Sequence, residues 1–304
     1  VALAGAAFGW INYRRAHQAD LAAQQARADA EKLVGFLIED FYNELQPTGR
    51  LETMGKLAHL AVNYYDGLPP ELVTPQTQVY RGMALVREAE AMLSKGDYQQ
   101  GNPRLDQAHA LFQKLRAGGD RGEAVAVGLA LSKFARFTSW GVTGAPGSKP
   151  EDLKLTADLL RPYLADPKTS RGTRMLYADV LNYLSHAQPL EQRLATCDEA
   201  RKILAELGAK DLSDLRAASI YADVSDSEAR HALLLGRVQD AERLESEVYE
   251  IAEGVLAQRP GDLRSMANRA LAADLLASLA IRRTDFRAAE QYAAQQKLVK
   301  GLPE

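Results

Sequence analysis

Turn-forming residues recur at a regular interval along this chain, and that interval restricts the fold more than any other feature does. A Gly-Asp-Tyr turn begins at Gly96, a Gly-Arg-Val turn at Gly236 and a Thr-Asp-Phe turn at Thr284. The last two turns are 48 residues apart, and the first two are 140 apart, which is three steps of about 47. The interval therefore predicts further turns near 143 and 190, and turn sequences containing Gly or Pro lie at 140–152 and 185–192.

A repeat of this length holds two helices joined by a turn, and such hairpins bury their apolar faces only by stacking on one another. We therefore predict an all-α fold, namely a right-handed α-solenoid of helix-turn-helix hairpins with an N-terminal stalk helix. One hairpin is expected over residues 16–67 and five more from about 75 to 301, giving about twelve helices and no sheet.

Two helices are predicted before the repeats. The first is amphipathic in its second half, where large apolar residues recur at helical spacing and should share one docking face: Leu33, Leu37, Phe41 and Leu45. Pro47 and Gly49 end this helix. A second helix should run from about Leu51 to Asp66, where the sequence DGLPP stops it.

The opening segment carries no charge from Val1 to Ile11, and an aromatic and arginine cluster ends it: Trp10, Tyr13, Arg14 and Arg15. This order is typical of the end of a membrane span, although eleven residues are too few to cross a bilayer. We therefore predict residues 1–15 as the end of a transmembrane helix, 16–74 as a stalk and first hairpin, and 75–304 as repeats. The alternative is an apolar N-terminal helix that packs on the protein's own body.

Charge and residue counts exclude other classes of protein. The formal net charge of −3 disfavours a nucleic-acid partner, which would require a basic face. Cys197 is the single cysteine, so the chain has neither an intramolecular disulfide nor a site built from several thiolates. We predict that Cys197 is a buried apolar residue, the alternative being a reactive thiol. The five histidines are far apart in the sequence, and we predict no metal and no other cofactor.

The individual hairpins resemble tetratricopeptide repeats over about residues 75–301. After Gly96 the chain places Gly101, Leu105 and Ala108 at the offsets where this family has a small, a large apolar and a second small residue. The repeat is longer than the family's usual 34 or so residues. Glu245 also departs from the family pattern, because its position usually holds a large apolar residue.

The same resemblance carries implications for packing and binding. Ala289 and Ala293 should face the partner helix of the last hairpin. The first helix of each hairpin should line a concave face that binds a protein or peptide, and five polar residues should point toward that face: Glu90, Asn182, Asp226, Arg230 and Asp274. The peptide-carboxylate clamp of some family members requires Lys and Asn at paired offsets, and only Asn182 fits that pattern.

The segment from Ala30 to Glu71 is similar to the join between a membrane helix and helical repeats in some bacterial signalling proteins. The likeness lies in the sequence DFYNELQPTGRLE and in the Ala-x-x-Tyr-Tyr pattern from Ala61 to Tyr65. Those proteins carry an N-terminal effector such as a kinase, a cyclase or a caspase-like domain. The likeness implies a regulatory or partner-binding tail.

These observations predict a non-catalytic interaction or sensor module, tethered to a bacterial inner membrane by a single pass on a side that the sequence does not define. The stalk at 16–32 has little apolar surface and should associate with itself only weakly. We do not predict an enzyme, because the acids, bases and nucleophiles are scattered along the repeats. The alternative is a helical enzyme with an unrecognised active site, which a deep, closed cavity lined by titratable residues would favour.

Overall fold

The structure is a computed structural model of the 304-residue chain. It describes residues 51–138 and 148–296 continuously, and before residue 51 it describes only positions 10, 13, 14, 17, 18, 25, 27, 30–35, 37, 42, 49 and 50. The described residues form an all-α fold and include no strand, as predicted.

Eleven α-helices follow one another from residue 51 to residue 296 of the described chain. They are α1 (Leu51–Asp66), α2 (Pro75–Leu93), α3 (Tyr98–Ala117), α4 (Glu123–Thr138), α5 (Pro150–Leu160), α6 (Arg171–Ala187), α7 (Leu190–Glu206), α8 (Leu215–Leu234), α9 (Val238–Gln258), α10 (Leu263–Arg282) and α11 (Phe286–Gln296). Short 3-10 turns lie at Pro70–Leu72 and Arg161–Tyr163. The helix predicted at 51–66 is confirmed.

The predicted repeat is visible in the helix boundaries. The first helices of five successive hairpins, α2, α4, α6, α8 and α10, begin at residues 75, 123, 171, 215 and 263, at intervals of 44 to 48 residues. The two turns that the interval predicted fall between α4 and α5 and between α6 and α7. Residues 139–147 of the first of these turns lie outside the described residues.

The three turns that defined the interval share one backbone conformation. Gly96, Gly236 and Thr284 adopt left-handed φ angles of 79°, 74° and 61°. The next amide in each turn donates to the carbonyl five residues earlier, at 2.9–3.0 Å: Asp97 to Met92, Arg237 to Ala232 and Asp285 to Ala280. This hydrogen bond satisfies a carbonyl that the end of a helix would otherwise leave without a donor.

Neighbouring helices pack in chain order. Each helix from α1 to α11 contacts the next one, and the first helices of successive hairpins also contact one another. The core between α2, α3 and α4 shows how close this approach is, because the fully buried ring of Phe112 lies between Gly82 and Gly128. The coarse description is therefore an all-helical, repeat-like fold.

Two predicted packing positions are wrong. Leu33 is 59% exposed, so the docking side of its helix is the one that carries Gly35, which lies against the ring of Tyr80. Ala289 is buried, as predicted, but Ala293, one turn further along α11, is exposed.

The predicted single-pass location in a bacterial inner membrane is also wrong. Within the described ranges, no helix combines the length and the apolar character that a membrane span requires. The long helices α2, α8, α9 and α10 all carry several charged residues. Most of residues 1–15 and of the stalk at 16–32 lie outside the described residues; of those described, Trp10, Tyr13, Arg14 and His17 are exposed.

Candidate binding cavity

The first helices of all five hairpins line one cavity of about 690 Å³. Much of its wall is apolar, with side chains from α2, α4, α6 and α8: Met83, Val127, Leu131, Phe134, Leu176 and Ile220. The remaining wall carries charged groups, taken in turn below. Both the volume and the mixture of apolar and polar groups lie in the range of ligand-binding sites.

The N-terminal turns of four helices meet at this cavity. Glu123 of α4, Gly172 of α6, Arg216 of α8 and Leu263 of α10 all belong to first turns, and all line the wall. The N-terminus of a helix carries a partial positive charge. Carboxylates of the protein already meet three of these N-termini: Glu123 at α6, Asp214 at α8 and Asp262 at α10.

Glu123 is held by the N-terminus of the following first helix. Its Oε1 accepts hydrogen bonds from the backbone amide of Ser170 at 3.0 Å and from the hydroxyl of Thr173 at 2.5 Å. Burial opposes ionisation, but these hydrogen bonds lower the pKa of Glu123 overall. Its charge is therefore stabilised within the wall of the cavity.

Tyr42 joins the N-terminal part of the chain to the cavity wall. Its ring lies 4.1 Å from the guanidinium carbon of Arg87, and its hydroxyl donates to Glu90 at 2.6 Å. Arg87 in turn donates to the same Glu90 oxygen at 2.9 Å. Burial, followed by the charge of Glu90, raises the pKa of Tyr42. The three side chains form a closed group in which the phenol stays protonated.

A second ion pair crosses the cavity from α10 to α6. The guanidinium of Arg264 donates to both carboxylate oxygens of Asp179, at 3.1 and 3.3 Å. Asp223 lies 3.7 Å from the same guanidinium. Burial raises the pKa of Asp223 to about 6. The pair ties together helices whose residues are 85 positions apart in the chain.

Of the five residues predicted to line a groove, one lines the cavity, and the other four are linked by hydrogen bonds or electrostatic interactions that include Asp223. Glu90 lines the cavity. Asn182 is buried and donates to Asp223 at 3.2 Å. Asp226 is buried and accepts two hydrogen bonds from Arg230, at 2.9 and 3.0 Å, one helical turn away on α8. Asp274 is exposed on α10.

Sequence reasoning missed four polar residues of the wall or its edge: Tyr42, Glu123, Arg216 and Arg264. A signal for the two arginines was present. The tripeptide Asp-Leu-Arg occurs at 214–216 and again at 262–264, at the interval of the repeat. In both copies the aspartate caps the following helix and the arginine is the second helical residue.

A separate buried polar cluster lies between α6, α7 and α8. His231 is 1% exposed and lies 3.1 Å from the Ser185 hydroxyl through Nε2, and the rings of His186 and His231 are 4.8 Å apart. Cys197 is fully buried, and burial raises the pKa of its thiol to about 12. The prediction of a buried apolar role for Cys197 is therefore confirmed.

We expect His231 to remain neutral at pH 5. Burial, followed by the nearby His186 and Arg193, lowers the pKa of His231 to about 4. Because the folded pKa lies below the unfolded value of about 6.5, this group's contribution to stability should fall as the pH drops from 6.5 toward 4. An NMR titration of the ring carbons checks this, and a midpoint at or above pH 6 would contradict it.

These features define an all-helical, repeat-like protein with a cavity along its first helices. The solved structure of BtubC (BKLC) from P. vanneervenii is similar, with a TM-score of 0.59 and 16% sequence identity over 84% of this chain and 94% of that chain. At this identity the similarity shows the fold alone. No family model matches the sequence, and no curated protein matches it significantly.

Proposed function

We propose that this chain is a non-catalytic binding module, a right-handed α-solenoid of tetratricopeptide-like hairpins that binds a segment of a partner protein in its cavity. Two features support the solenoid arrangement. Each helix packs on the next, and the first helices also pack on one another. Such stacking produces a curved inner face that is suited to extended ligands.

The observation that carries the proposal is that every first helix contributes to the same cavity. Apolar side chains such as Leu131, Phe134 and Leu176 offer surface for the side chains of a bound segment. The charged groups around them are mostly held in fixed pairs, as with Arg264 and Asp179. Because the apolar wall and the paired charges around it are already held in place, few side chains would have to be ordered when a ligand binds.

The chemistry of the wall supports binding over catalysis. Neither histidine nor cysteine is among the described residues that line the cavity, so its serine and threonine hydroxyls have no imidazole base beside them. Glu90 and Asp179 already accept hydrogen bonds from arginines. The alternative of a helical enzyme would require an acid or base free to act on a substrate.

Selection of peptides from a random display library tests the proposal. Peptides enriched on the wild-type protein should bind the Leu176→Gln variant at least about tenfold more weakly, because the substitution removes apolar surface from the cavity wall. Leu155→Gln is the control, because Leu155 lies on α5 and is 52% exposed. The proposal would be overturned if the selection enriches no peptide. It would also be overturned if the Leu176→Gln and Leu155→Gln variants bind the enriched peptides equally well.

A further inference from the structure

We propose that Arg216 binds a carboxylate of the ligand that occupies the cavity, so that the preferred partner segment is acidic with apolar neighbours. The carboxylate site follows from the geometry of the wall. The assignment of that carboxylate to a peptide rests on the function proposed above.

Arg216 differs from the other arginines of the wall in its pairing. Arg87 donates to Glu90, and Arg264 donates to Asp179. Arg216 lines the cavity, yet its guanidinium forms neither a hydrogen bond nor an ion pair with any residue of the described chain. An arginine in a partly buried wall normally has an anionic partner, because removing an unpaired charge from water is unfavourable.

The nearby carboxylates are already occupied by other donors. Asp179 accepts both of its hydrogen bonds from Arg264. Asp214 caps α8 through the amides of Arg216 and Ala217, at 3.1 and 3.0 Å, and also accepts from Arg171 at 2.8 Å. Both carboxylates attract the charge of Arg216 from a distance, but neither forms an ion pair or a hydrogen bond with its guanidinium.

The surroundings of Arg216 are unfavourable for its own charge. Burial, followed by the guanidinium groups of Arg87 and Arg264, lowers the pKa of Arg216, and the attraction of Asp179 and Asp214 offsets this shift only in part. A bound anion would offset the repulsion between these guanidinium groups and supply Arg216 with a partner.

The ligand chemistry follows from the shape and charge of the wall. A guanidinium presents a planar pair of donors that matches a carboxylate. Ile220 lies one turn further along α8 and also lines the cavity, so the group attached to the carboxylate meets apolar surface. Glu123 and Asp262 lie on the same wall, and their charges favour a singly charged carboxylate over a doubly charged phosphate.

Titration with hexanoate tests the carboxylate site without any knowledge of the natural ligand. Hexanoate should bind the wild-type protein, and Arg216→Gln should weaken its binding at least about tenfold, while Arg216→Lys should retain part of the affinity. Hexanol, which has no charge, should bind weakly to both proteins. Arg237→Gln is the control, because Arg237 is exposed in the turn before α9, at the opposite end of α8.

A stability measurement separates a ligand-binding role from a structural one. Because Arg216 has no side-chain partner among the described residues, Arg216→Gln should leave the urea midpoint unchanged or raise it. A marked fall of that midpoint would show that the arginine supports the fold and would overturn the proposal. So would hexanoate binding that is unaffected by Arg216→Gln, or that is no stronger than the binding of hexanol.

Peptide selection distinguishes this inference from the proposed function. Peptides enriched on the wild-type protein should contain Asp or Glu beside apolar residues, and selection on Arg216→Gln should lose the acidic preference. Enriched peptides that lack acidic residues but still require Leu176 would overturn the carboxylate site and leave the proposed function intact. If hexanoate binds through Arg216 but no peptide is enriched, the carboxylate site is supported. The proposal that a peptide supplies the carboxylate is then overturned.

Discussion

Alanine at position 128 should destabilise the protein by roughly 1–3 kcal/mol, a large effect for a single methyl group. Gly128 on α4 faces the ring of Phe112, and a methyl group there would lie 2.2 Å from the nearest ring carbon. Gly82 on α2 confines the same ring, since a methyl group at that position would lie 2.5 Å from it. The fully buried ring cannot move away without separating the two helices.

Urea unfolding with a glycine control checks this expectation. Helix propensity alone would make Gly→Ala stabilising by about 1 kcal/mol, so the sign of the change identifies the steric effect. Gly172→Ala on α6 is the control, because a methyl group there has Ser170 Oγ at 3.9 Å as its nearest neighbour. Adding Phe112→Leu to Gly128→Ala should recover part of the loss. If Gly128→Ala and Gly172→Ala both stabilise the protein, α2, α3 and α4 do not approach one another as closely as described here.

Glutamine at position 245 should stabilise the protein by roughly 2–4 kcal/mol at pH 8 and by far less at pH 5. Glu245 is fully buried on α9, and neither carboxyl oxygen accepts a hydrogen bond from a donor in the described chain. Burial, followed by the charge of Asp226, raises the pKa of Glu245 to about 9. A glutamine amide has nearly the same shape but no charge, so neither burial nor the charge of Asp226 destabilises it.

The direction of the pH dependence follows from the raised pKa. The folded protein keeps a proton on Glu245 up to about pH 9, whereas the unfolded chain releases it near pH 4.5. The stability that this group contributes is therefore complete below pH 4.5 and is lost as the pH rises through 9. His231 changes the stability of the wild type and of the Glu245→Gln variant by the same amount. Its effect therefore cancels in the difference between their free energies of unfolding.

Urea unfolding at pH 5, 6, 7 and 8 measures this effect. The difference between Glu245→Gln and wild type should widen steadily with pH. Glu290→Gln, at an exposed position on α11, should run parallel to wild type across the whole range. A parallel course for Glu245→Gln as well would mean that Glu245 is ionised in the folded protein.

The sequence by itself determined the helices, their turns and the interval between them. These features depend on contacts close along the chain: a helix ends where a left-handed residue such as Gly96 or Gly236 follows it, and it begins where a capping residue such as Asp214 precedes it. Burial of Cys197 and Ala289 was expected from the resemblance to tetratricopeptide repeats, whose pattern has a small or apolar residue at these positions.

Only the tertiary structure decided which residues meet in the cavity. Tyr42 reaches Glu90 across 48 residues, and Arg264 reaches Asp179 across 85. Such contacts depend on the angles at which successive hairpins stack, and small rotations accumulate over five of them. The same dependence explains why the sequence did not show that Asn182 pairs with Asp223 of the next hairpin, or that Arg216 lines the cavity without a side-chain partner in the described chain.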